Sequence, residues 1–433
     1  MRVLFTVLAL DSHFYNSVPI AWALRAAGHE VRVASQPDLT ETITRAGLTA
    51  VPVGEELALL QRSQQSAESS EPGYGTGYDL TETDPQKLTW EYVRDTFGAY
   101  TYVAEGVGSQ TMLEDLARFA REWQPDLVVW DAMTYVGPVV ARACGAAHAR
   151  LLFGTDHWAR MREVFLERGA EQTPEDRMDA MAGWMAARLS SLGLDPEGAG
   201  AFGEDLVVGQ RTIDPLPSWV RVPAGLDRVP VRPVMYNGPA VVPDWVHERP
   251  KLPRVVLTLG LSLPGAYKEG FPIGDLLAAA ADLEVELIAT AGAEAAEALA
   301  GSGLPDNVRI VDFVPLNEVL PTCSAIIHHG GMGTLQNALR HGVPQIVVPG
   351  WLWDEKGNAV ALEQQGAGLV IDPSEFTADT LREKLARLLA EPGFRQNADR
   401  LRTELLALPT PHDIVPELER LAAERGGRRP VAE

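Results

Sequence analysis

Short apolar runs alternate with amphipathic stretches along most of the chain. Residues 3–9 read as a fully buried strand, 10–17 as a loop, 18–27 as a helix stopped by Gly28, and 31–34 as the next strand, which makes a βαβ unit. A helix at 38–46, with Gly47 behind it, and a strand at 50–53 continue the alternation. From 54 to 89 the periodicity fades into Gln, Ser, Glu, Gly and Thr, and a polar stretch of that length in a compact domain usually carries function or stays unstructured. The pattern returns as a helix at 112–122, a strand at 126–130, a helix at 136–144 and a strand at 149–153. Residues 178–192 place Met, Ala, Trp and Leu at helical spacing, a stripe far more often used for core or subunit contact than for a cofactor.

A strand-like run at 207–210 leads into nine prolines between Pro215 and Pro253, a composition that predicts an interdomain linker. A second alternation follows. Strands are expected at 254–258, 285–289, 308–314 and 325–327, helices at 276–283 and 293–300, amphipathic helices at 381–389 and 414–423, and a frayed tail over 426–433. Alternating short strands and helices predict an α/β fold with parallel sheets covered on both faces. The expected division is an N-terminal domain at 1–222, a linker at 223–250, a C-terminal domain at 251–410 and a terminal helix and tail at 411–433.

A length of 433 residues is too great for one ordinary core and supports that division. The formal charge of −22 argues against nucleic acid or an anionic membrane as partner, since both need a basic face. It leaves room for an anionic nucleotide held locally at a helix N-terminus. Two isolated cysteines, Cys144 and Cys323, predict a reducing compartment without a disulfide framework. No apolar run approaches the ~18 residues of a membrane span, and the start reads as a strand, so the expected location is cytoplasmic.

Candidate chemistry concentrates in Ser324 to Gly368. There an apolar strand ends in His328-His329, the glycines Gly330, Gly331 and Gly333 follow, and Thr334 opens a helical pattern that Gly342 and Pro344 stop. Small residues admit a ligand to the backbone and a fresh helix N-terminus favours an anion, so the stretch suits a diphosphate, although an ordinary tight turn has the same glycines. A second buried strand, 345–349, delivers Asp354 and Glu355 onto the loop before the next helix. In an open parallel sheet both features lie at neighbouring carboxyl ends, where ligands bind. Anion donors beside two carboxylates suit a sugar nucleotide.

On the N-terminal side, His13 follows the first strand, and histidine is the side chain best suited to take a hydroxyl proton near neutral pH. Asp131, ending another strand, either orients His13 or caps the following helix. The turn at 258–262 is expected to bring Gly260 and Ser262 to a strand end, in reach of a donor phosphate. Neither HExxH nor paired CxxC spacing is present, so no metal or cofactor is expected.

The segment from His328 to Ala359 resembles the donor-binding signature of the nucleotide-sugar glycosyltransferases of the GT-B type, which have two facing Rossmann-like domains with a cleft between them. The resemblance extends over Val18-Pro19-Ile20-Ala21-Trp22, Gly28-His29-Glu30-Val31, Pro125-Asp126-Leu127-Val128-Val129-Trp130 and Tyr236-Asn237-Gly238-Pro239. It is closest to the antibiotic branch that attaches deoxysugars to macrolides and anthracyclines. The resemblance implies that His329 and the Gly331-Met332-Gly333-Thr334 amides hold the diphosphate, that Val314 holds the pyrimidine through its backbone, and that Asp354 and Glu355 meet the sugar. Glu355 stands where the family has glutamine, which removes a hydrogen-bond donor.

The resemblance further implies a general base in the His13 loop. Other branches place it in the register of Asn16. The implied reaction is inverting O-glycosyl transfer from a thymidine-diphosphate (TDP) deoxysugar to a hydroxyl of a hydrophobic aglycone such as a polyketide. Rivals are a sugar-nucleotide epimerase on the same fold and a non-catalytic sugar-nucleotide-binding helper. Some relatives work with a cytochrome-P450-like auxiliary protein, which makes residues 178–192 a candidate docking or homodimer face.

Overall fold

The computed structural model describes residues 1–58, 79–195, 197–198, 201–222, 224–258, 260, 283–290, 306–350 and 354–426. The chain divides into two units. The first comprises Met1–Leu216, Arg221–Val231 and Pro409–Glu433, and the second Pro217–Val220 and Arg232–Leu408.

The first unit is built on a parallel sheet ordered β3-β2-β1-β4-β5-β6-β7. Its strands are β1 (Arg2–Thr6), β2 (Glu30–Ser35), β3 (Thr49–Pro52), β4 (Leu127–Asp131), β5 (Ala147–Leu151), β6 (Arg211–Asp214) and β7 (Arg228–Pro230). Every neighbouring pair is parallel, and the order reverses between β1 and β4, the switch point at which open α/β sheets bind ligands. The helices are α1 (Asp11–Ala26), α2 (Thr40–Arg45), α3 (Trp90–Val107), α4 (Gln110–Trp123), α5 (Val136–Cys144), α6 (His157–Ala170), α7 (Ala180–Ser191) and the short α8 (Asp205–Val208).

In the second unit the order is β10-β9-β8-β11-β12-β13, again wholly parallel. The strands are β8 (Arg254–Thr258), β9 (Glu286–Thr290), β10 (Val308–Val311), β11 (Ala325–His328), β12 (Gln345–Val347) and β13 (Gly368–Val370). Its helices are α9 (Leu316–Val319), α10 (Met332–Arg340), α11 (Glu355–Gln364), α12 (Ala378–Ala390) and α13 (Pro392–Leu406). Val255 and Leu257 enter one apolar cluster while Val256 enters another, and Ile326 likewise faces away from Ala325 and Ile327. Both faces of this sheet are therefore buried, which is why its strands read as continuous apolar runs.

Several expectations are corrected. The first helix starts at Asp11, seven residues before the sequence reading, because Pro19 lies inside it instead of opening it. Its fixed φ is helical, but an interior proline both removes one N–H bond and crowds the carbonyl four residues earlier, so α1 carries a local cost there. An aspartate in the first turn favours the earlier start. Residues 205–208 are helical, and the strand follows at Arg211. The proline-rich passage contributes β7 to the N-terminal sheet, since Val229 lies opposite Ile213 there. The helices α3, α6 and α13 were not anticipated. Those expected at 276–283 and 293–300 fall outside the described residues, Leu283 apart.

The terminal helix α14 (Val415–Arg425) belongs to the first unit, where Glu417 pairs with Arg211 and Glu419 lies 3.0 Å from His29. In α7, Met181 and Met185 are fully buried and Trp184 bonds Glu105 of α3. The Met and Trp side chains of that stripe are thus largely spent inside their own unit, with Met178 the exposed one. Among the described residues no helix is long and apolar enough to cross a membrane.

Candidate active site

In the first unit, two carboxyl strand ends converge. His13 occupies the first turn of α1, just beyond β1, and Asp131 is the last residue of the adjacent β4. Nδ1 of His13 lies 2.8 Å from Oδ2 of Asp131, with both side chains largely buried. A carboxylate accepts only, so Nδ1 donates its hydrogen and the lone pair is left on Nε2. Asp131 is held in turn, because its Oδ1 accepts from the Met133 amide at 2.9 Å. It does not cap α5, whose N-cap is Tyr135 without a side-chain bond. The ring of Phe153, just past β5, lies against His13 with centroids 4.1 Å apart and the planes tilted by 40°.

Asn16 is on the same helix, but its Nδ2 donates to the Leu152 carbonyl at 2.6 Å. It ties α1 to the segment that carries Phe153. No sequence signal pointed to this pair of contacts.

The second unit gathers the glycine-rich turn. His328, at the end of β11, is wholly buried, accepts the Gly330 amide at Nδ1 (3.0 Å) and donates from Nε2 to Oε1 of Gln345 (2.8 Å). Burial pushes its pKa down to about 4, so it is a neutral scaffold. His329 points elsewhere. A Cβ built on Gly331 would meet its Nε2 at 2.5 Å, and one on Gly260 its Cε1 at 2.7 Å, so the imidazole fills the space those glycines leave. Burial first, and the His328 ring second, hold the His329 pKa down to about 3. A neutral ring donates one hydrogen bond to an anion without a charge of its own.

Gly331 caps α10 in an extended conformation and Met332 is its first residue, so the amides of Met332 and Gly333 lack intrahelical partners. Thr334 donates back to Gly331, and a Cβ on Gly333 would meet nothing within 4 Å. Asp354 and Glu355 begin α11, both nearly buried, with Oε1 of Glu355 lying 3.6 Å from Nε2 of His329. Asn358, one turn on, donates to the Gly330 carbonyl at 3.2 Å and fixes α11 against the turn. Val314 is buried beyond the end of β10. Ser262 lies outside the described residues.

The structure therefore brings His329, Gly260, Gly331, Met332, Gly333, Thr334 and Glu355 to one sheet edge. Among the described residues, no group of three or more His, Cys, Asp or Glu is arranged to hold a metal ion.

Residues 22–260 match the N-terminal domain, and residues 274–421 the C-terminal domain, of the family described as erythromycin biosynthesis protein CIII-like. The chain belongs to that family. It is 50% identical, over all of its own length and 99% of the relative's, to aclacinomycin-T 2-deoxy-L-fucose transferase of Streptomyces galilaeus. Identity to tylactone mycaminosyltransferase of Streptomyces fradiae is 45%, over 99% of this chain and 94% of that one. Among solved structures, the glycosyltransferase VinC in complex with dTDP matches with a TM-score of 0.88 and 45% identity, covering 98% of this chain and all of that one. The spinosyn rhamnosyltransferase SpnG complexed with spinosyn aglycone matches with a TM-score of 0.74 and 28% identity, over 97% and 100%.

This CIII-like protein is thus a glycosyltransferase of the GT-B type, and its macrolide and anthracycline relatives are sugar transferases. Neither the epimerase nor the helper reading is favoured by those names.

Proposed function

We propose that this CIII-like glycosyltransferase moves a deoxysugar from a TDP donor to a hydroxyl of a polyketide aglycone with inversion at the anomeric carbon. The observation that carries the reading is the His13–Asp131 pair at the carboxyl edge of the N-terminal sheet. With Nδ1 engaged, Nε2 takes the proton of the acceptor hydroxyl, and the oxygen attacks the anomeric carbon from the face opposite the diphosphate. Asp131 orients the ring and stabilises the imidazolium. The C–O bond to the diphosphate breaks as the new one forms. His329, the opening amides of α10 and Gly260 receive the charge that leaves.

Asp354 and Glu355 accept hydrogen bonds from sugar hydroxyls, and the Val314 backbone holds the pyrimidine. The donor class is supported by VinC, solved with dTDP, and the acceptor class by the aglycones in the names of the relatives. No metal is assigned a step.

The test is incubation of the purified protein with TDP-deoxysugars and a panel of macrolactone and anthracyclinone aglycones, reading TDP release and the anomeric configuration of the product. Release only in the presence of aglycone, with an inverted linkage, is expected. Release without aglycone, or a retained configuration, overturns the reading. Running the same assay with and without a P450-like auxiliary protein decides whether a helper is obligatory, and the oligomeric state is read by sizing.

A further inference from the structure

The stretch Tyr236-Asn237-Gly238-Pro239 has no part in the chemistry above, yet it occupies a specific position. The backbone amide of Asn317 donates to Oδ1 of Asn237 at 2.8 Å, and Nδ2 of Asn237 reaches Oδ1 of Asn337 at 3.4 Å. Nδ2 of Asn337 donates in turn to the Gly333 carbonyl at 2.8 Å. At the other end of the same helix, Nε2 of His341 donates to Oδ1 of Asn317 at 3.1 Å. Asn237 and Asn337 in series therefore link the turn that follows Val314-Pro315 to the first turn of α10. Gly238, at φ +82°, adopts a left-handed conformation that brings the chain through this position. Asn337 is buried and Asn237, Asn317 and His341 are half-buried, so these bonds are partly shielded from competing water.

We propose that Asn237 is a positioning residue that couples two halves of the donor subsite, fixing the backbone that holds the nucleoside base relative to the amides that hold the diphosphate. The inference rests on the proposed donor reading. Its chemistry is that of a rigid clamp. A nucleoside diphosphate has a set span between base and phosphates, and prearranging both halves at that span saves the ordering cost on binding. Each half alone has no such requirement.

That distinction supplies the test. Affinities for thymidine, inorganic pyrophosphate and thymidine diphosphate are measured by calorimetry or competition for wild type, Asn237→Ala, Asn337→Ala and the double variant, with thermal unfolding as a fold check. Asn237→Ala is expected to weaken thymidine diphosphate about tenfold, the scale of one buried hydrogen bond, while thymidine and pyrophosphate stay within about twofold. Because the two asparagines act in series, the double variant should be no weaker than the worse single one.

Equal losses for all three ligands would mean general damage to the unit and overturn the coupling. So would unchanged thymidine diphosphate affinity in a folded variant. Wild-type protein that binds no thymidine diphosphate would end the donor reading itself and the coupling with it. A failure confined to the variants ends only the coupling.

Discussion

Nδ1 of His13 and Oδ2 of Asp131 lie 2.8 Å apart although 118 residues separate them in the chain. The pairing of β1 with β4 makes this possible, since Thr6 stands opposite Trp130 and both strands end at the same sheet edge. His13→Ala should lower turnover by about 10²–10⁴, the usual contribution of a general base, with thymidine diphosphate affinity near normal. Asp131→Asn should have a smaller effect of the same kind. Steady-state rates with saturating donor check both. Asn16→Ala serves as the contrast, and full loss there with His13→Ala active would mean that the register placing the base at His13 is wrong.

The fit of His329 between Gly260 and Gly331 leads to a second outcome. His329→Ala should weaken thymidine diphosphate by about 1–3 kcal/mol, the cost of a lost hydrogen bond to a charged group. Gly331→Ala should do comparable harm, because its φ of −59° costs a side chain nothing while the new Cβ would lie 2.5 Å from Nε2. Calorimetry on variants with wild-type circular dichroism reads both. Undiminished affinity in Gly331→Ala would mean that the ring position is unimportant.

The alternation of strands and helices was legible because each sheet is buried on both faces, which writes its strands as apolar runs. The glycine-rich turn was legible for a different reason, as backbone approach demands residues without side chains. What escaped was local punctuation whose meaning depends on tertiary context. The first helix reads from the sequence as starting at 18, beside Pro19, whereas α1 carries that proline in its interior. Residues 207–208 have strand composition but end a helical turn at Gly209, at φ +85°. The residues that hold the site were less legible still. Asn16, Asn237 and Asn358 act through bonds to distant backbone groups, and a single asparagine carries no periodic signal.

His157 opens α6 nearly buried, and neither ring nitrogen has a hydrogen-bond partner among the described residues. An imidazole in that position forgoes bonds it made to water. His157→Phe is expected to leave the midpoint of thermal unfolding unchanged or raise it, by relief of about 1 kcal/mol. Scanning calorimetry of the pair checks this, and a marked fall would mean that the ring nitrogens are bonded in solution.

The buried histidine behind the glycine-rich turn gives the protein a defined response to acid. His328 is held at a pKa of about 4, against an ordinary value of 6.5, chiefly by burial. The unfolded chain therefore binds a proton at this residue between pH 6.5 and 4 that the folded chain refuses. By linkage, stability falls as pH falls through that window, with a slope for this group of at most ~1.4 kcal/mol per pH unit, and the loss levels off below the folded pKa. The bond geometry agrees with that sign, because a proton on Nδ1 would abolish its acceptance of the Gly330 amide and disturb the turn. His328→Gln removes the titrating group while keeping an amide able to accept. Its own stability is expected to be lower at pH 7.5, where the native ring fits best, and the gap to wild type to narrow steadily towards pH 4. Chemical denaturation at half-unit pH steps reads the gap directly, and a constant difference across the range would mean that His328 titrates alike in the folded and unfolded chains.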